Sequence, residues 1–250
     1  MAGAAHAQSG GWEFDAGGGI AQRRLVERTP AGAALVTESG PVLQLQLQAQ
    51  RQLGSGGAIG LRASGTGGDI HYDGQTQAGA PLSTSTRHIE GGLDVLWRPA
   101  APAAWGEAWL TAGWLGNRRH IMGTPTAGGL VETSQALLLG ARWRSPQVAV
   151  RDWRVSFDAE ARASAWHRLN VDYQGLLDNS TLRGAQRKQV VLRVNAAPPA
   201  SAWLWTLEWN TLWQAASDPE PVYLGGALFG TVRQPELHVR DVALRLTRRF

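Results

Sequence analysis

Cysteine is absent, so neither a disulfide framework nor a thiolate metal site can form. No uncharged apolar run reaches the ~18 residues that mark a membrane-crossing helix, which excludes a helical membrane protein. Lysine occurs once, at Lys188, and the rest of the 24 basic residues are arginine. The net charge of +4 is small for 250 residues, and no basic run with interleaved aromatics appears, so nothing points to a nucleic-acid partner. Glycine and tryptophan are plentiful instead, at 31 and 12 residues. Tryptophan spread along the whole chain excludes intrinsic disorder. The length fits a single domain, because β-barrels of roughly 200–250 residues form one unit.

The first residues include Ala5-His6-Ala7, the small-x-small form that signal peptidase reads, without a basic region or an apolar core before it. Residues 1–8 therefore read as the remnant of a signal peptide, and 9–250 as one domain.

The dominant period is two. In Val42–Gln50, Leu43, Leu45, Leu47 and Ala49 fall on one face, with Gln44, Gln46, Gln48 and Gln50 on the other. A helix would smear those leucines around its circumference, whereas a strand separates them cleanly. The alternation recurs at 88–98, 153–173, 203–213 and 242–250. In 153–173 the odd positions, through Leu169, Val171 and Tyr173, form the apolar face, and the even ones, including Asn170 and Asp172, the polar face. Weaker copies around Trp12, Ile59, Leu110, Leu137 and Val190 bring the count to about ten strands, each long enough for the ~9–11 residues of a tilted membrane strand. Connections alternate between short (54–57, 99–104, 145–152, 197–201) and long (29–40, 74–86, 122–130, 174–186, 216–235). Short turns at one end and long loops at the other are the layout of a membrane barrel.

The faces opposite the apolar ones carry charges of both signs: Glu13, Asp15, Arg62, Asp94, Arg142, Asp158, Glu160, Arg162, Arg193, Glu208, Asp241 and Arg245. In a narrow barrel these would fill the lumen with ion pairs and plug it. A wide aqueous pore needs ~16–18 strands, more than this chain can supply.

The last strand alternates Val242, Leu244, Leu246 and ends on Phe250. It resembles the terminal signature of bacterial outer-membrane β-barrels, an alternating strand closed by an aromatic carboxyl terminus. The resemblance covers 242–250 in motif and nearly the whole chain in layout, with Arg248 as a departure from the apolar pattern. It implies an all-β, antiparallel up-and-down transmembrane barrel in the bacterial outer membrane. It also implies recognition of the Phe250 strand by the outer-membrane assembly machinery, periplasmic termini, and long loops facing outside. Trp12, Trp97, Trp143 and Trp153 then fit a periplasmic aromatic girdle.

Two groups of residues carry possible chemistry at the outer rim. Asp69 and His71 close one strand, and His88 and Glu90 open its hairpin partner; a His–carboxylate pair there could act as a general base. Omptin proteases are similar in general build, ten strands with an Asp-x-His element and an acidic pair at the rim. Asp69-x-His71 matches the first element in form, and no opposing acidic pair is evident. Ser83 and Ser85 read as loop serines, so no serine nucleophile stands out. Arg87, Arg118, Arg119, Arg187 and Lys188 gather at strand tops, where lipopolysaccharide presents phosphates that arginine binds bidentately. The expected role is a structural, adhesive or anchoring barrel, or the seat of a secretion or export assembly, with outer-membrane lipid, lipopolysaccharide and other envelope proteins as partners and no cofactor. A rim hydrolase acting on peptide or lipid A, and a narrow small-solute channel, are the alternatives.

Overall fold

The computed structural model describes residues 11–54, 56–75 and 79–250; the segment 1–8, read as a signal-peptide remnant, lies outside them. Among the described residues every regular element is a strand: β1 (Trp12–Arg28), β2 (Ala34–Gln52), β3 (Ala58–Gln75), β4 (Pro81–Arg98), β5 (Glu107–Ile121), β6 (Leu130–Arg144), β7 (Val148–Val150), β8 (Trp153–Asp172), β9 (Ser180–Arg183), β10 (Arg187–Ala197), β11 (Trp203–Gln214), β12 (Glu220–Leu224), β13 (Ala227–Val232) and β14 (Glu236–Arg249).

Ten of these close an antiparallel barrel in the order β1–β6, β8, β10, β11, β14, and β14 pairs back onto β1. Closure satisfies the backbone of both would-be edge strands, the condition for spanning hydrocarbon. At the β1–β14 seam, Gly19 lies against the Leu244 carbonyl so closely that any Cβ would strike it. A side chain at that inward position would push the seam apart.

The burial pattern inverts that of a soluble barrel. Leu43, Leu45, Leu47 and Leu93 are each at least 60% exposed, whereas Arg62, Asp158, Glu160 and Asp241 are less than 5% exposed. Water would penalise such a continuous apolar exterior; lipid would not. Trp12, Trp97, Trp143 and Trp153 stand exposed toward the end of the barrel that carries the chain termini.

Two sequence expectations are corrected. The apolar face of 153–173 does not continue to its end. Between β6 and β8 the register passes from Leu138↔Ser164 to Leu137↔Trp166, leaving Ala165 as a bulge. One extra residue turns every later side chain to the other face. Leu169, Val171 and Tyr173 therefore point inward, and with Leu182 and Val222 they form an apolar cluster at the loop end. Asn170 and Asp172 face outward instead of into the lumen.

The loop expected over 29–40 shrinks to a turn, because β1 runs to Arg28 and β2 starts at Ala34. Likewise β3 and β4 extend to Gln75 and Pro81. The segment 216–235 is itself ordered as the β12–β13 hairpin. Antiparallel pairing satisfies the backbone above the membrane as well as in it, so the strands continue past the apolar belt.

A charge placed on the lipid face separates the two faces experimentally. Leu45→Arg should cost ~2–4 kcal/mol and abolish heat-modifiable migration in a denaturing gel, while Gln48→Arg, on the inner face, should retain it. Deleting Ala165 should retain it as well, since Ser164 and Trp166 would then alternate without a bulge and both segments of β8 would keep their faces.

Candidate functional site: the ion-paired lumen

Inward positions of neighbouring strands supply opposite charges at matching heights. Arg62 on β3 is opposite Asp94 on β4 in register, and its Nε donates to Asp94 at 2.8 Å. The same guanidinium crosses the lumen to Glu160 on β8, with bonds of 2.7 and 3.0 Å. Glu160 also accepts from Arg193 at 3.0 Å and lies 3.3 Å from Arg162. Arg193 donates to Glu208 at 2.7 Å, and Arg245 lies 3.5 Å from Glu208. Arg162 returns to Asp94 at 3.0 Å. The result is a layer of four arginines and three carboxylates spanning the barrel. Such ions are expensive to desolvate, and all but Arg245 offset that cost by meeting several partners at once.

Toward the termini, Asp158 joins Arg142 and Arg144 at 3.0 Å each. Glu13 and Asp15 stand apart from these networks at the mouth: Glu13 accepts from Gln50 at 3.0 Å, and Asp15 lies 3.9 Å from Arg249. Nearer the loops, Arg23 holds Asp241 through two bonds of 3.0 Å. There Glu38 accepts from Arg119, Thr86 and the ring of His88, the last at 2.6 Å. Arg119 also bridges to Glu27 and Glu132.

Arg23, Glu27, Glu38 and Glu132 were not among the lumen residues expected from sequence. Glu38 was hidden because 29–40 reads as a loop. The alternation Ala21, Arg23, Leu25, Glu27 carries the signal for the β1 pair once that strand is extended.

The four rim residues proposed for general-base chemistry divide between the two faces. In the β3–β4 register Asp69 is opposite Arg87, and Gly68 is opposite His88. Asp69 and His71 therefore point outward, while His88 and Glu90 point inward. Period-two alternation forbids the cross-hairpin pairing expected of them. The Asp69 carboxyl, above the apolar belt, accepts from Arg87 at 2.8 and 3.0 Å, and this bonding holds it below its ordinary range. The His–carboxylate pair that does form is His88–Glu38, buried in the wall. In the loop after β8, burial raises the Tyr173 hydroxyl above its ordinary value.

The expected phosphate-binding set divides in the same way. Arg87, Arg118 and Lys188 are exposed on the outer face. Arg119 and Arg187 are 5% and 6% exposed inside the barrel, and no lipid phosphate can reach them. Phe250 is exposed, its amide donates to the Phe14 carbonyl at 2.9 Å, and the Arg248 guanidinium lies over its ring. Among the described residues no group of three His, Asp or Glu side chains is placed to hold a metal ion.

Several solved structures match the chain, and the first of them shares its fold. The outer-membrane protease OmpT from Escherichia coli matches with a TM-score of 0.55 at 11% identity, over 97% of this chain and 99% of that one. The translocator domain of the autotransporter NalP from Neisseria meningitidis matches at 0.49 and 10% identity, over 98% and 90%. The Pseudomonas putida toluene transporter TodX matches at 0.33 and 9% identity, over 96% and 90%. No protein-family model matches the chain, and neither does any curated protein. At such identities the likeness is one of fold. Together with the apolar belt and ionic interior, it defines the class: a ten-stranded transmembrane barrel of the bacterial outer-membrane kind.

The central layer depends on its carboxylates. Glu160→Ala leaves three arginines short of a counter-ion and should destabilise the barrel by about 3–5 kcal/mol, measured as a lower urea midpoint in micelles. Asp69→Asn, on the exposed rim, should leave that midpoint unchanged.

Proposed function

We propose that this chain is a closed anchoring barrel that binds a partner through its loop end, and that it neither conducts nor catalyses. The observation that carries this reading is the β12–β13 hairpin. Its tip exposes Leu224, Leu228 and Phe229, the last two at 69% and 61%. The tip is also held rigid. Gly225 and Gly226 adopt positive φ values of 57° and 80° at the turn, and both amides donate to the Asp178 carboxylate, at 3.2 and 2.8 Å. The Asp178 amide donates in turn to the Tyr223 carbonyl at 2.9 Å. At the base Val222 is buried in the apolar cluster at the loop end. A preorganised apolar surface loses little entropy when it docks, and exposed apolar patches mark interaction sites.

The ionic layer supports the closed reading. Arg62, Arg193 and Arg245 line the chambers on both of its sides, about 140 Å³ toward the loops and 280 Å³ toward the termini. On the resemblance noted above, the hairpin faces outside the cell, and its partner is an envelope or surface protein.

A photo-crosslinking residue at Phe229 in whole cells should yield a discrete protein adduct, and one at Thr206 inside the lumen should not. Purified barrel in a planar bilayer should show no steady conductance. Absence of any adduct at Phe229, or an open-pore conductance, overturns the reading.

A further inference from the structure

The chamber on the loop side of the ionic layer contains one arginine unlike the others. Arg187 is 6% exposed, yet its bonds go to neutral partners, the Gln214 side-chain oxygen at 2.6 Å and the Ser134 hydroxyl at 3.2 Å. The other buried arginines of the described residues each have a carboxylate within 4.0 Å, and Arg187 has none. Glu90 and Glu132 are the carboxylates that face it. Glu132 is already held by Arg119 at 2.9 Å, and Glu90 makes one loose contact, to Arg23 at 3.7 Å. A buried guanidinium short of a counter-ion is costly, and the described residues supply no anion at that distance.

The wall beside Arg187 is ready for a ligand. Glu90, Asn117 and Ser134 are opposite one another across β4, β5 and β6, so Glu90 and Ser134 stand roughly 9–10 Å apart along the wall. His88, 2% exposed, lines the same chamber, and its Nδ1 has no partner. The chamber, about 140 Å³, admits a molecule of a few heavy atoms.

We propose that this chamber is a binding site for one small carboxylate, seated on the Arg187 guanidinium. Two sources share that chemistry. A simple monocarboxylate would use Arg187 with the Asn117 amide as a second donor. An α-amino acid would also place its ammonium toward Glu90.

The test is isothermal titration of the refolded full chain in micelles at constant ionic strength, with sodium acetate and with glycine, against sodium chloride as reference. Acetate or glycine should bind saturably, and Arg187→Gln should weaken that binding at least tenfold, since charge-assisted bidentate bonds are among the strongest available. Heat-modifiable migration reports whether the variant folds. Asn117→Leu, which leaves the bonds of Arg187 intact and fills the chamber, should weaken binding similarly and serves if Arg187→Gln does not fold. Glycine binding tighter than acetate, with the difference lost in Glu90→Gln, upholds the site and identifies an amino acid. Equal binding upholds it for a monocarboxylate. Heat no different from chloride, or unchanged affinity in the folded variants, overturns the site. The titration reads the lumen and the cross-link reads the hairpin, so either can fail alone.

Discussion

Inside hydrocarbon no water reaches the peptide groups, so each strand needs a hydrogen-bonding partner on both edges. The rest of this molecule depends on that constraint. It closes the sheet, and a closed sheet has one inside and one outside. Because side chains alternate along each strand, the chain must write two environments into every other residue. Leucine and tryptophan occupy the outer positions and charged or amide groups the inner ones. The apolar exterior is then stabilised by lipid, and the interior is left to solve its own electrostatics.

It does so by sharing. Glu160 meets Arg62, Arg162 and Arg193, and Asp94 meets two of the same arginines. A single pair of buried charges recovers its desolvation cost only in excellent geometry, and in this layer every ion but Arg245 has two or three partners. The strands contribute one or two members each, so the layer also couples β3, β4, β8, β10, β11 and β14 across the lumen. Toward the loops this ionic interior gives way to apolar packing around Leu169, Tyr173, Val36 and Tyr72. The change coincides with the bulge at Ala165, which brings the apolar residues of β8 inside where the hairpin must be anchored.

The barrel, the inner face and most of the ionic residues were legible in the sequence because they follow from parity. Arg62 and Asp94, or Arg193 and Glu208, fall on inner positions in any register that keeps leucine outside. The rim was less legible. His88 and Glu90 fall on the polar face of 88–98, but reading the hairpin as ending near residue 73 leaves Asp69 and His71 without a face, and reading 29–40 as a loop conceals Glu38. A pairing that looked reasonable by proximity was impossible by alternation. Arg119 and Arg187 were assigned to the lipid side for the same reason, since position near a strand top says nothing about direction.

The sequence by itself determined about ten strands with one apolar and one polar face each, because a period of two separates the two sets only in a strand, and the resemblance of its last strand to outer-membrane barrels implied that the apolar face meets lipid. Only the tertiary structure decided which inner charges meet. Arg62 and Glu160 are 98 residues apart and touch because the sheet curls until β3 and β8 face each other across the lumen. It alone decided that one bulged residue reverses the end of β8, that the hairpin tip stands exposed, and that Arg187 lacks a counter-ion. These depend on shear, closure and loop packing, which are properties of the assembled sheet and leave no local trace in the order of residues.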